Sequence, residues 1–322
     1  MKAADSCPAT PLFLQKLDFS ACKLNDYSRR YIGRMMPAIE YYVEIYSRCL
    51  DNAIAAAGKP LDQITLVDYG GDHGFLSLMA KERGVGQVIY VDFNPDAVET
   101  IHLFSDTLGY GPDVILQGDA LVLNEWARRE EVVPDILLGM DVIEHIYCLD
   151  DFFSAVFSLT PHVKMIFTTG SNPMNRRICR RLRKVMRADE RLFWQRRRDF
   201  IARHNPDFSP RLLDYWATNT RGLNCDDILR AVDTNSPNLL SDSYNTCDPD
   251  TGSWTERILP FSDYRNLIEP YGASCAFQKG FCNILRKGPK AFLSRWLNRR
   301  IDRRSGMRFA PFFFLEVNLS QP

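Results

Sequence analysis

The chain has 322 residues, enough to bury a full core, and 40 basic residues against 40 acidic ones give a formal net charge of zero. With 45% hydrophobic and 25% charged residues it has the composition of an ordinary globular protein, without the basic surplus expected of a nucleic-acid-binding chain. No run approaches the roughly 18 apolar residues of a membrane span, and the first twenty residues lack the basic start and apolar core of a signal peptide.

The nine cysteines are scattered and show no C-x-x-C spacing, which supports neither a zinc site nor a small disulfide framework. Reduced thiols, no metal and a cytoplasmic location are the expectation. Residues 1–60 read as a helical arm, because "DYSRRYIGRMMPAIEYYVEIYSRCLDNAIAAAG" spaces its apolar groups at three and four. From residue 61 to 174 short apolar runs alternate with amphipathic stretches. "ITLVDYG" predicts a strand and "FLSLMAKERG" a helix ending at Gly84. "QVIYVDFNP" predicts a second strand, and "PDAVETIHLFSDTLG" a helix with Pro95 near its start. "DVILQGDA" and "PDILLGMDVIEH" predict strands three and four, with "LVLNEWARREE" a helix between them. "DDFFSAVFSL" predicts a helix and "HVKMIFTTGSNP" strand five. This alternation implies parallel strands with right-handed crossovers and helices on both faces, a Rossmann-like α/β class.

Residues 175–254 interrupt the rhythm with helical, arginine-dense sequence and read as an insert or substrate lid. Across 255–322 the rhythm resumes: "LPFSDYRNLIEPYG" predicts a helix, and "ASCAFQKGFCNIL" and "RFAPFFFLEVNL" the last two strands.

Ligands of open α/β sheets bind beyond the carboxyl ends of the strands, which puts the turn Gly70–Gly74 at the site. The turn reads G-G-D-H-G. It matches neither the G-x-G-x-x-G dinucleotide fingerprint nor a P-loop, and no lysine follows Gly74. Asp72 would repel a diphosphate but would tolerate a ligand carrying a sulfonium and an ammonium.

Asp68-Tyr-Gly70-Gly71-Asp72-His-Gly74 resembles the acid-x-G-x-G-x-G motif of class I S-adenosylmethionine (SAM) methyltransferases, with Asp72 departing from the middle glycine. "VIYVDFNP", "LQGDAL" and "LLGMDVIEHI" follow in that family's order, the last resembling a motif of the quinone-biosynthesis branch. The resemblance implies a doubly wound, mostly parallel seven-stranded sheet with an antiparallel last strand, the helical arm and insert capping the strand ends. It also implies SAM as cofactor, S-adenosylhomocysteine as product, and no metal. Cofactor-binding residues would be Asp68, Gly70, Gly71, Gly74, Asp92, Phe93, Asp119, Ala120 and Met140. Asp92 would take both ribose hydroxyls with its two acceptor oxygens, Asp119 would hold the adenine amino group, and Phe93 and Met140 would sandwich the ring.

Methyl transfer from a sulfonium is an in-line displacement, so the enzyme mainly positions the acceptor. His145 is the candidate base, since imidazole titrates near neutrality; ordering of its loop is the competing role. The expected acceptor is a small molecule, and an anionic one if the arginines of "RRICRRLRKVMRADERLFWQRRRDF" grip it. Within that stretch Ile178, Leu182, Val185 and Met186 fall at helical spacing, which leaves the arginines as a solvated face. A second basic stretch, "KGPKAFLSRWLNRRIDRRSGMR", mixes Phe292, Leu293 and Trp296 among its arginines, a composition compatible with a lipid headgroup surface. An RNA methyltransferase and a non-catalytic SAM-binding module are the alternative functions.

Overall fold

The computed structural model describes residues 10–159 and 163–319. Cys7, the beginning of the N-terminal stretch and His162 at the head of predicted strand five lie outside the described residues. The arm consists of α1 (Leu12–Lys16), α2 (Asp26–Met35) and α3 (Ile39–Ala57). The sheet region follows with β1 (Thr65–Tyr69), α4 (Phe75–Glu82), β2 (Gln87–Asp92), α5 (Pro95–Leu108), β3 (Val114–Gln117) and α6 (Ala120–Arg129). It continues through β4 (Ile136–Met140), α7 (Leu149–Leu159) and β5 (Lys164–Thr169). The insert holds α8 (Arg176–His204), α9 (Pro210–Asn219) and α10 (Cys225–Asp233). The chain closes with α11 (Phe261–Ile268), β6 (Ala273–Lys279), α12 (Pro289–Ile301) and β7 (Phe313–Leu319).

The strands form one sheet in the order β3-β2-β1-β4-β5-β7-β6. Strands β1 to β5 pair in parallel, and β7 pairs antiparallel with both β5 and β6. Six strands therefore run one way and the last runs the other, as expected. Alternation along β1 assigns its side chains to two faces. Leu66 joins the core beneath α3, α4 and α5, whereas Val67 and Tyr69 join the core beneath α6, α7 and α11.

Local chemistry fixes the ends of the elements. The Asn94 side chain accepts the Asp96 amide and Pro95 opens α5, so β2 stops at Asp92. Asp119 caps α6 in the same way, taking the amides of Leu121 and Val122. The short helix α1 is held by Glu82, whose two carboxylate oxygens accept the amides of Leu12 and Phe13 at 2.8 and 2.6 Å. Phe13 then packs against Phe75, centroid to centroid, at 5.0 Å.

The insert departs from expectation in two respects. Its first helix runs unbroken for 29 residues, burying Cys179, Leu182 and Met186 while Val185 faces solvent. Its arginines are not all a solvated face. Arg197 is fully buried, donating to the Ala217 carbonyl through Nε and to both Glu190 oxygens at 2.6 and 3.3 Å. Arg196 pairs with Asp248 and Arg198 with Asp214. Among the described residues eight cysteines are free thiols.

Removing one partner of a buried, hydrogen-bonded ion pair strands the other. Arg197→Ala is expected to destabilise the protein by about 3 kcal/mol or more, read as a lowered urea midpoint. Arg180→Ala, on the exposed side of α8, should stay within about 0.5 kcal/mol of the parent.

Candidate active site at the carboxyl ends of the strands

The turn after β1 is pinned to its neighbour. The amides of Gly70 and Gly71 both donate to the Val91 carbonyl, at 2.8 and 3.3 Å. Gly70 has φ +64°, and a Cβ there would come within 2.3 Å of Val142, so only glycine fits. Gly74 has φ +71° and forms the N-cap of α4 against Ile101, where a Cβ would meet a methyl at 2.2 Å. Asp72 takes the middle-glycine position at φ +46°, a left-handed conformation that a short polar side chain tolerates. Its carboxylate lies 3.0 Å from His73 Nδ1 and 3.5 Å from the Tyr27 hydroxyl.

Two carboxylates end the first two strands, and each holds a neighbouring turn. Asp68 is buried; its Oδ2 accepts the Ser77 amide at 3.0 Å and the Ser77 hydroxyl at 2.7 Å, anchoring the first turn of α4. One helix-start amide thus points at Asp68 rather than outward. Asp92 accepts the Asp72 amide on Oδ2 and the Asn94 amide on Oδ1, both at 2.8 Å. Burial raises Asp68 to about 7 and Asp92 to about 6, against the opposing pull of these hydrogen bonds.

Two cavities meet at Gly70. The larger, about 300 Å3, is lined by Asp92, Phe93, Asp119, Ala120, Leu121 and His145, among others. Phe93 and Leu121 are each 56% exposed, presenting apolar surface at its mouth. Asp119 Oδ1 is engaged in capping α6, and among the described residues no partner engages Oδ2. The smaller cavity is lined by Asp68, Gly71, Asp72, His73 and Met140 of the sheet region together with Tyr31 and Tyr46 of the arm. His73 is 2% exposed; its Nδ1 faces Asp72, and its Nε2 has no hydrogen-bond partner among the described residues.

The expected residues therefore gather around two adjoining hollows, except Gly74, which lines neither and serves the start of α4. Met140 lines the smaller hollow and Phe93 the larger, so the two do not face each other across one cavity.

His145 is oriented by the insert. Its Nδ1 lies 2.7 Å from the Trp254 carbonyl, which can only accept, so Nδ1 carries a proton and in the neutral ring the lone pair falls on Nε2. Asp141, at φ +50°, is solvent-accessible yet has protein packed densely around it, and it lines neither cavity. Burial and then the charge of Glu256 raise it to about 6. Glu144 is fully enclosed, accepts from Thr169 Oγ1 at 2.6 Å and the Gly170 amide at 3.1 Å, and is pushed well above the usual carboxylate range by burial. Burial, followed by the charges of Asp72 and Asp141, keeps the hydroxyls of Tyr31 and Tyr46 protonated.

The sequence reading missed the arm tyrosines, although Tyr27/Tyr31 and Tyr42/Tyr46 sit four apart on helical sequence, a visible stripe. It also missed Thr251 and Ser253, which line the larger cavity from a loop without any periodic signal. Ser171 and Asn172, at the end of β5, are buried; Asn172 Nδ2 donates to the carbonyls of Met307 and Ala310, fixing the approach to β7.

No family model and no curated protein matches this sequence. Among solved structures the chain is similar to a SAM-dependent methyltransferase from Archaeoglobus fulgidus, at 12% identity and a TM-score of 0.45, over 91% of this chain and 100% of that one. It is similar to another from Mesorhizobium loti at 13% identity and a TM-score of 0.41, over 83% and 96% of the two chains. Magnesium protoporphyrin IX methyltransferase from Synechocystis, with bound S-adenosylhomocysteine, aligns at 14% identity and a TM-score of 0.39, over 86% and 83%.

Proposed function

We propose that this chain is a class I SAM-dependent methyltransferase that acts on a small-molecule acceptor by direct in-line displacement. The observation that carries the reading is Asp92: a buried carboxylate at the tip of β2, fixed by one amide on each oxygen and bordering the larger cavity. Such a group has one remaining acceptor direction per oxygen, which suits the two vicinal hydroxyls of a ribose. Beside it, Phe93 and Leu121 offer flat apolar cover for a purine, and the free Oδ2 of Asp119 can accept from an exocyclic amine.

The smaller cavity fits the charged end of the same ligand. Asp68, Asp72 and the faces of Tyr31 and Tyr46 suit an ammonium and a sulfonium. His73 is the cation-capable side chain on this wall, and its unpartnered Nε2 is assigned to the carboxylate of the amino-acid end. SAM, when bound, supplies an activated methyl group on sulfur. The chain's own residues hold the nucleoside, exclude water and present the acceptor to the methyl group. His145, with its proton held on Nδ1 by Trp254, has an Nε2 lone pair to remove the acceptor's proton.

Calorimetry with SAM and S-adenosylhomocysteine tests the reading. Both should bind, and Asp92→Ala should weaken them at least about a hundredfold. Unchanged affinity in that variant removes Asp92 from the site. The diol pairs with the ionised carboxylate, and the free group titrates at about 6. Below that value a proton must first be displaced, so affinity should fall about tenfold or more per pH unit, and with Asp68 at about 7 it should level off only above pH ~8.

The two histidines should separate by readout. His73→Gln is expected to weaken S-adenosylhomocysteine but not 5′-methylthioadenosine, which lacks the amino-acid carboxylate. His145→Ala, at the wall of the nucleoside cavity, should weaken both ligands equally and at most modestly, and should lower turnover at saturating SAM about a hundredfold, measured as label passed from SAM to small molecules of a cell extract. An extract that yields no labelled product with the parent protein would favour the non-catalytic alternative.

A further inference from the structure

Helix α12 carries an exposed surface that nothing in the fold uses. Ala291, Ser294 and Ile301 bury one side of the helix. The other side presents Phe292, 73% exposed, Leu293, 51%, and Trp296, 42%, grouped by their spacing of one and four residues. Large apolar side chains this exposed, and adjacent, mark a contact surface rather than ordinary scatter.

The charge around them is one-sided. From Arg286 to Arg308 there are nine lysines and arginines and a single acid, Asp302. Among the described residues none of the nine is in an ion pair. In α8 three of the eleven arginines, Arg196, Arg197 and Arg198, find carboxylates, and its exposed cations lack the adjacent exposed aromatic and aliphatic trio that α12 carries. With the whole chain neutral, the α12 region holds a local and unmatched positive field. Arg300 lies 4.9 Å from the centre of the Trp296 ring, so cation and indole share one face.

Its position in the fold is equally specific. Strand β6 runs parallel to β1–β5 and ends at Lys279, which is in register with Phe313 at the start of β7. The segment between them, α12 included, therefore leaves and rejoins the sheet at the same end as the two cavities.

We propose that this face of α12 docks the protein on an anionic lipid bilayer, with Phe292, Leu293 and Trp296 entering the headgroup boundary and the surrounding arginines and lysines meeting lipid phosphates. Apolar side chains able to insert, ringed by unpaired cations on one helix face, are the composition of an interfacial helix. A nucleic acid would use the charge but leave the Phe–Leu pair in water. A second copy of this chain is the rival occupant, and it would show as dimerisation without lipid. The docking does not depend on the methyltransferase reading, and its test needs no cofactor.

The test is co-sedimentation of the full chain with vesicles of phosphatidylcholine containing about one-fifth phosphatidylglycerol, at ~0.1 M salt. The protein should pellet with these vesicles, much less with phosphatidylcholine alone, and less as salt rises. The triple variant Phe292→Ala, Leu293→Ala and Trp296→Ala should partition about tenfold less or worse, with an unchanged melting temperature because all three side chains are exposed. Arg295→Glu with Arg299→Glu should abolish the preference for anionic vesicles. Failure to pellet at low salt, or a triple variant that pellets like the parent, overturns the proposal. So does lipid-free, concentration-dependent dimerisation that the triple variant removes, or retention on RNA with no binding to vesicles.

Discussion

The structure turns on a buried carboxylate at the tip of the second strand. Asp92 receives the amide of Asp72 on one oxygen and that of Asn94 on the other, so one side chain fixes both the glycine turn after β1 and the entry to α5. Removal from water penalises its charge, and the two amides offset only part of that cost. A carboxylate kept in this setting is rigid and poorly solvated, with acceptor directions left over on both oxygens. Asp68 follows the same pattern one strand over, holding Ser77 and the first turn of α4.

Around that fixed floor, the walls come from segments outside the parallel sheet. The arm brings Tyr31 and Tyr46 over the smaller cavity, and the insert brings Thr251 and Ser253 to the larger. The insert is latched to the loop after β4 at several points. His145 holds the Trp254 carbonyl, Trp254 Nε1 donates to the Tyr147 carbonyl at 3.0 Å, and the Tyr147 hydroxyl donates to Asp227. The loop that carries the candidate base and the insert therefore share hydrogen bonds. A shift of the insert would be felt at His145, a coupling through direct contact rather than distance.

Charge is distributed by the same logic of partners. Two segments of similar arginine density differ in their partners. In α8, Arg196 and Arg198 meet Asp248 and Asp214 from elsewhere in the insert, and Arg197, paired with Glu190 of the same helix, becomes its most deeply buried large side chain. In α12 no carboxylate among the described residues pairs with the arginines, and exposed apolar residues lie among them instead. Density of arginine says little until the fold has supplied or withheld the counter-charges.

Apolar periodicity and turn chemistry determined the order and type of the sheet elements, because strand alternation, glycine breaks and residues such as Pro95 and Asn94 act over a few neighbours. The glycine turn, Asp92 and Asp119 were legible for the same reason: each sits at the end of a strand that the pattern locates. Tertiary structure alone decided what those groups are engaged in. It made Asp119 a cap with one free oxygen, allowed Asp72 in place of a glycine through a left-handed backbone, and set Met140 in a different hollow from Phe93. It buried Arg197 while leaving Val185 in water, and it brought the arm tyrosines to the strand ends. These outcomes depend on contacts between residues tens to hundreds of positions apart, and burial, pairing and cavity shape come into existence only when those distant segments meet.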